Sequence, residues 1–162
     1  MKSKSGHQVL NRKDLKDFHA QSLSTNKGML VIGLPGTGKT TCLRSNRMVT
    51  AYKLAMDYQL SGIEAVKASI NNMIQYESLK VTIDDLGTET IASNYGQQLD
   101  VIPYIIQSIY DINQTAEKPI KLYLTSNLNY EALTARYGMR VTDRLNEMTT
   151  VIVLEDTNLR KS

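Results

Sequence analysis

Short apolar runs alternate with longer amphipathic stretches along most of this 162-residue chain. Four apolar runs bounded by turn residues or polar segments predict buried β-strands: 29–32, 79–83, 120–124 and 150–154. Apolar residues at helical spacing, or a capping residue ahead of such a stretch, predict helices at 63–74, 101–112, 129–138 and 141–148. Strands that alternate with helices favour an α/β fold with a parallel sheet covered by helices on both faces.

The pattern between 33 and 62 allows two interpretations. A strand over 48–52 leaves room for a helix of only about two turns after the loop at 33–40, whereas parallel crossovers normally need a dozen or more residues. The alternative is one helix that continues through Ala51, without a strand. We favour the short helix, followed by a helix over 52–60 that ends at Ser61-Gly62.

The N-terminal segment is predicted to be an extension, residues 1–26, ahead of a core domain, residues 27–162. Residues 1–11 are polar and show little periodicity, which predicts flexibility. Asn11 or Asp14 can begin a short helix that carries Leu15 and Phe18 on one face. The polar stretch 87–96 predicts a loop.

Charge and cysteine content restrict the function only loosely. The net charge of +3 permits contact with nucleic acid without requiring it. Basic residues gather at both ends, where they are either a solvated surface or a nucleic-acid contact: Lys2, Lys4, Arg12, Lys13, Lys16, Arg160 and Lys161. The single cysteine, Cys42, cannot form an internal disulfide, so we expect a cytoplasmic protein. No apolar run is long enough to span a membrane, so no membrane partner is expected.

The segment 33–40 reads G-x-x-x-x-G-K-T, the pattern of a phosphate-binding P-loop. It follows an apolar run and precedes a predicted helix, as this motif requires. The backbone N–H groups of such a loop point at phosphate oxygens, Lys39 reaches the β- and γ-phosphates, and the Thr40 hydroxyl joins the Mg²⁺ shell. The predicted nucleotide-binding residues are Gly33, Leu34, Pro35, Gly36, Thr37, Gly38, Lys39, Thr40 and Thr41.

Two acids follow the apolar run at 79–83. Asp84 is positioned to hold Mg²⁺, and Asp85 to orient or deprotonate the attacking water, because ligands bind where the strands of α/β sheets end. Glu89 is a competing candidate for the base, although we favour a surface charge in a loop.

Three further polar residues are candidates for catalysis. Asn127 ends the next strand, where it either contacts the attacking water or the γ-phosphate, or caps a turn. Arg140 and Arg144 are four residues apart and therefore share a helix face. They either act on the γ-phosphate of a neighbouring subunit or form a solvated surface with Asp143 or Glu147.

Four segments together resemble the AAA+ ATPases of the bacterial helicase-loader (DnaC/DnaI) type, with their phage and transposon relatives. They are the P-loop, DDLGTE at 84–89, LTSNL at 124–128 and RYGMRVTDRL at 136–145. The resemblance implies a P-loop NTPase three-layer sandwich with a mainly parallel sheet in the order 5-1-4-3-2, and ATP as the ligand. It further implies Asn127 as sensor 1, Arg144 as an arginine finger acting between subunits and Arg140 as the second candidate. The partners it implies are further copies of the chain, single-stranded DNA and a replicative helicase.

The chain departs from the resemblance at both ends. It ends soon after the last predicted strand, so we expect an AAA+ core without a lid, with Arg160 a poor substitute for a sensor 2 arginine. The first 26 residues are too few for a helicase-docking domain, which weakens the expectation of a helicase partner more than that of ATPase activity.

The predicted function is Mg²⁺-dependent ATP hydrolysis by a loader-like ATPase in phage or mobile-element DNA replication. A transposition-helper ATPase of the same fold and a nucleotide-switched DNA-binding scaffold with weak hydrolysis remain alternatives. A GTPase is disfavoured because the sequence has no Asn-Lys-x-Asp segment. A small-molecule kinase is disfavoured because we identify neither an acceptor pocket nor an arginine-rich lid.

Overall fold

Six of the strands form one parallel sheet in the computed structural model, which describes residues 2–3, 6–43 and 45–154. In chain order the strands are β1 (Gln8–Leu10), β2 (Gly28–Ile32), β3 (Val49–Thr50), β4 (Lys80–Leu86), β5 (Ala92–Asn94), β6 (Gln97–Leu99), β7 (Lys121–Ser126) and β8 (Thr149–Leu154). The helices are α1 (Arg12–Ser22), α2 (Lys39–Leu43), α3 (Ala51–Ser61), α4 (Ile63–Tyr76), α5 (Val101–Asn113), α6 (Tyr130–Tyr137) and α7 (Met139–Met148).

The order of the large sheet is β1-β8-β2-β7-β4-β3. The five predicted strands keep the predicted relative order 5-1-4-3-2 within it, but the sheet has a sixth strand that the sequence analysis did not predict. This strand, β1, pairs with β8 from Gln8 opposite Ile152 to Leu10 opposite Leu154. The expectation of flexibility was wrong for residues 8–10, because their hydrogen-bond partners lie on a strand more than 140 residues away in the chain.

The stretch 87–96 was predicted to be a loop, and part of it instead forms the antiparallel ribbon β5-β6. Tyr95 and Gly96 both have positive φ, 50° and 80°, as a two-residue type I′ hairpin turn requires. The ribbon is attached to α3, because Tyr58 Oη donates to Gln97 O over 3.0 Å and Asn94 Nδ2 donates to Gln59 O over 3.1 Å.

The segment after the P-loop confirms the short-helix interpretation, since α2 has five residues. The strand predicted over 48–52 is shorter than expected and contains only Val49 and Thr50. Thr50 ends this strand and also caps α3, with its side chain accepting from Lys53 N over 3.0 Å. Ala51 is therefore the first residue of a helix and not part of the strand.

Helices cover both faces of the sheet, as the three-layer prediction requires. Side chains alternate along β2, so Met29 and Val31 pack with Leu15 of α1 and Leu43 of α2. Leu30 and Ile32 face the larger core, which α3, α4, α5, α6 and α7 complete. Among the described residues, no helix is both long and apolar enough to cross a bilayer.

Candidate nucleotide-binding site

The carboxyl ends of β2, β4 and β7 meet at one edge of the sheet, where they surround a cleft of about 490 Å³. This is the edge at which open α/β sheets bind their ligands. The residues that line the cleft are Arg12, Pro35, Gly36, Gly38, Lys39, Thr40, Thr41, Asp85 and Asn127. The structure therefore brings together residues from four separate parts of the sequence.

The loop after β2 has the backbone that a phosphate cradle needs. Gly36 and Gly38 have φ of 82° and 92°, in the left-handed region that favours glycine. Thr37 is buried and its Oγ1 donates to Leu34 O over 2.8 Å, which closes the loop on itself. Gly33 N donates to Ser126 O over 3.1 Å and fixes the loop to the end of β7. Gly33, Leu34 and Thr37 thus form the frame of the loop, and the other six predicted nucleotide-binding residues line the cleft.

Lys39 begins α2 and is 4% exposed, although it lines the cleft. Its Nζ donates to Leu34 O across the loop over 3.3 Å. The helix that it begins is too short to contribute a large dipole, so the sequence-based argument from the helix terminus is weaker than expected. Within the loop and α2, attraction for phosphate therefore comes mainly from the lysine charge and the loop N–H groups.

Asp84 is held by two hydroxyl groups. Thr40 Oγ1 donates to Asp84 Oδ1 over 2.8 Å, and Thr125 Oγ1 donates to the same oxygen. A hydroxyl beside a carboxylate suits Mg²⁺, which takes oxygen ligands and is usually held by one or two carboxylates together with substrate phosphates. No group of three or more His, Cys, Asp or Glu side chains that could hold a metal occurs in the described part of the chain, so phosphate and water oxygens would complete the shell of such an ion.

Asp85 occupies a strained backbone position at the end of β4. Its φ is 58°, and the pairing of β4 with β7 shifts register between Ile83 and Leu86. Asp85 N donates to Thr125 Oγ1 over 2.9 Å, and this hydrogen bond stabilises the backbone at the register shift. Burial raises the pKa of the Asp85 carboxyl, the charge of Asp84 raises it further, and Lys39 partly opposes the rise. A raised pKa and a strained backbone in a cleft are both common at catalytic sites.

Asn127 directly follows β7, is exposed and lines the cleft. The neighbouring turn and helix have other caps, because Ser126 Oγ accepts from Leu128 N over 3.1 Å and Asn129 Oδ1 accepts from Ala132 N over 2.8 Å. The turn-cap alternative for Asn127 is therefore not needed to explain this backbone. Its amide is available to a ligand in the cleft.

Arg140 and Arg144 lie on α7 and are not among the residues that line this cleft. Arg140 is exposed. The Arg144 guanidinium stacks over the Tyr110 ring at 4.0 Å and lies 3.6 Å from Glu147 Oε1. Neither arginine therefore forms part of the cleft of its own chain. Arg160, the other arginine considered above, lies outside the described residues.

Glu89 is buried, so the expectation of a surface charge was wrong. Its carboxylate accepts from Tyr137 Oη and, over 3.0 Å, from Gly87 N. Arg136 donates to Glu89 O and binds both carboxylate oxygens of Asp100, at 2.7 and 3.0 Å. Burial, together with Glu89, raises the pKa of Tyr137, so the phenol stays protonated as the donor. These contacts give Glu89 a structural role and leave Asp85 as the acid in the cleft.

Arg12 is the cleft residue that sequence reasoning missed, because it was considered only as part of a basic cluster. It is the first residue of α1 and follows Asn11, whose side chain accepts from Asp14 N over 2.8 Å. The signal available in the sequence was an asparagine cap with an arginine next to it. No local sequence pattern shows that β1 pairs with β8, and it is this pairing that places Arg12 beside the P-loop.

The fold of this chain also occurs in a solved structure. A structure described as a crystal structure of the DnaC helicase loader superposes with a TM-score of 0.56 over 88% of this chain and 87% of that chain, at 18% identity. The chain shares the DnaC helicase-loader fold. No protein-family model matches the sequence, and no curated protein matches it. The loader-like P-loop NTPase fold implied by the sequence resemblance is thus confirmed by structure.

Proposed function

We propose that the chain binds ATP with Mg²⁺ in this cleft and hydrolyses it. The observation that carries the proposal is the hydrogen bond between Thr40 and Asp84, which joins the P-loop to the acids that end β4. The phosphate-binding loop, the Thr40 hydroxyl and an acid of raised pKa line one opening, and the hydrogen bond places Asp84 beside it. Their combination in one place supports nucleotide hydrolysis better than any of the separate motifs does.

The proposal assigns roles to five residues in or beside the cleft. Lys39 and the loop N–H groups neutralise and orient the phosphates. Thr40 and Asp84 would hold Mg²⁺, which supplies positive charge to the β- and γ-phosphate oxygens. Asp85 accepts a proton from the attacking water or orients it, and the Asn127 amide holds that water in line with the γ-phosphate.

Arg144, with Arg140 as the second candidate, completes the site of a neighbouring copy. This part of the proposal is supported by two observations: neither arginine lines the cleft of its own chain, and both lie on one helix. A guanidinium placed on the γ-phosphate stabilises the charge that develops in the transition state. Hydrolysis would then require ATP-dependent self-association.

The loader fold suggests the biological role of the hydrolysis. We propose that the chain assists DNA replication in a phage or mobile element, with single-stranded DNA and a replicative helicase as partners. The net charge of +3 is compatible with a DNA contact. Particle mass measured with Mg²⁺-ATP, with and without single-stranded DNA, tests this role; a larger particle with both ligands supports it, and a monomer under all conditions contradicts it.

Steady-state phosphate release tests the enzymatic part of the proposal. The wild-type chain is expected to release phosphate from ATP in the presence of Mg²⁺, with single-stranded DNA included in the assay. Lys39→Ala is expected to abolish the release, whereas Lys118→Ala, an exposed lysine outside the cleft, should leave it unchanged. Equal activity of the Lys39→Ala variant and the wild type would contradict the assignment of the cleft.

A further inference from the structure

The N-terminal helix α1 is held firmly against the core. Leu15 is fully buried between the sheet and α2, in the smaller core. At the other end of the helix, the Ser22 and Tyr123 hydroxyl oxygens lie 3.1 Å apart, and Lys121 Nζ donates to Leu23 O over 2.8 Å. With Asn11 capping its first turn, α1 holds its first residue at a fixed place beside the P-loop.

That first residue, Arg12, lies directly against the P-loop backbone. A Cβ atom at Gly38 would stand only 2.8 Å from Arg12 Nε, so the glycine gives the guanidinium room to approach. The same guanidinium lies near the Cys42 thiol: burial raises the pKa of that thiol, and the charges of Arg12 and Lys16 partly offset the rise. Arg12 thus faces both the loop and the first turn of α2.

The order of strands shows which end of a nucleotide Arg12 would meet. Asp85 and Asn127 come from β4 and β7, which lie on one side of the P-loop strand β2. Arg12 follows β1, which lies on the other side of β2, beyond β8. If the γ-phosphate is next to Asp85 and Asn127, the polyphosphate extends along the loop past Thr41, towards Arg12.

We propose that Arg12 binds the α-phosphate end of the nucleotide, opposite to the end where hydrolysis takes place. The planar guanidinium has several N–H donors, which suits a phosphate that the loop amides already hold from another direction. This inference rests on the proposed function, because it requires the cleft to bind a nucleotide. It assigns a ligand contact to a residue ahead of the predicted core domain.

Equilibrium titration with ATP and with ADP tests the contact. Because ATP and ADP both have the α-phosphate, Arg12→Ala should lower the affinity for each nucleotide by the same factor, about tenfold. Arg12→Lys, which keeps the charge without the planar fork, should fall between Arg12→Ala and the wild type. The matched control is Lys13→Ala, because Lys13 is the exposed neighbour in the same helical turn and does not line the cleft; it should bind both nucleotides as the wild type does.

The possible outcomes separate this inference from the proposed function. Unchanged nucleotide affinities in both Arg12 variants would overturn the inference. A loss of affinity for ATP alone would also overturn it, because such a loss would place the contact at the γ-phosphate. A wild-type chain that binds neither nucleotide would instead contradict the proposed function. The exposed position of Arg12 makes a folding defect unexpected, and melting temperatures of the variants equal to the wild type would confirm that the loss arises in the cleft.

Discussion

Thr40 Oγ1 donates to Asp84 Oδ1 over 2.8 Å, although the two residues are 44 positions apart in the chain. The bond connects the first turn of α2, which follows β2, to the end of β4, although β7 lies between these two strands in the sheet. Both side chains offer oxygen atoms of the kind that Mg²⁺ takes as ligands. This hydrogen bond joins the phosphate loop directly to the acids of β4.

The Thr40 hydroxyl should matter only when Mg²⁺ is present. Thr40→Val keeps the shape of the side chain and removes the oxygen, so we expect it to abolish the gain in ATP affinity that Mg²⁺ gives the wild type. Affinity measured in a chelator should change little. ATP titrations with and without Mg²⁺ measure both quantities, and Thr40→Ser, which restores a hydroxyl, is the control that should recover the gain. A wild-type response to Mg²⁺ in Thr40→Val would exclude this residue as a ligand.

Asp85→Asn should decrease hydrolysis and increase stability. Loss of the proton acceptor is expected to lower turnover by about 10²- to 10⁴-fold, with little change in ATP affinity. The raised pKa of Asp85 means that folding favours the protonated carboxyl, so the ionised form destabilises the fold at neutral pH. The variant should therefore melt at a higher temperature than the wild type at pH 7.

The pH dependence of this stabilisation provides a separate check. Below the ordinary pKa of aspartate, the wild-type carboxyl is protonated in both the folded and the unfolded chain, so the two proteins should differ least there. The advantage of Asp85→Asn should grow as the pH rises through the raised pKa of the folded state. Melting curves between pH 3 and pH 7 measure the difference in melting temperature between Asp85→Asn and the wild type. A difference that shrinks with rising pH would show that folding lowers the pKa of Asp85 instead. Asp111→Asn, an exposed carboxylate on α5 outside the cleft, is the control.

Tyr137 should contribute to stability through its hydroxyl group. Tyr137→Phe leaves the buried Glu89 carboxylate without one of its donors, which is expected to lower the free energy of unfolding by about 1–3 kcal/mol. Denaturant titration measures this loss, and Tyr95→Phe, at a fully exposed turn, should show none. ATP affinity should stay close to that of the wild type, because Glu89 and Tyr137 do not line the cleft. A loss of ATP binding without a loss of stability would contradict the structural role.

Mixing two inactive variants tests whether Arg144 acts between copies. Arg144→Ala should bind ATP normally and lose turnover by about 10³-fold, in the range known for arginine fingers. Lys39→Ala should not bind ATP but still carries Arg144. A mixture of the two should recover part of the wild-type activity, because the lysine variant supplies its arginine to the intact site of the other. No recovery at any ratio, in a mixture shown to associate, would indicate that Arg144 acts within its own chain or only through its contact with Tyr110.

The sequence predicted the central part of the fold because its signals there are local. The apolar runs that become β2, β4, β7 and β8 are recognisable without knowledge of their neighbours, and the P-loop has a fixed spacing. The strand β1 was missed because three residues become a strand only through pairing with β8. The hairpin β5-β6 was missed for a similar reason: its strands are short and polar, and contacts with α3 help to hold it.

The same distinction applies to the site. Asp84, Asp85 and Asn127 were predicted because acids and amides at the carboxyl ends of strands in a parallel sheet gather at one edge. Arg12 and Glu89 were misjudged because their environments depend on distant parts of the chain. Arg12 reaches the cleft through the pairing of β1, and Glu89 is buried by residues of α6.

Titration of the wild-type chain with ATP in the presence of Mg²⁺ tests the central claim most directly. We predict saturable binding of one ATP per chain, competition by ADP, and loss of binding in Lys39→Ala, with Lys118→Ala unchanged as the control. If the wild type shows no saturable binding, or if Lys39→Ala binds ATP as tightly as the wild type does, the cleft at the end of β2 is not the nucleotide site.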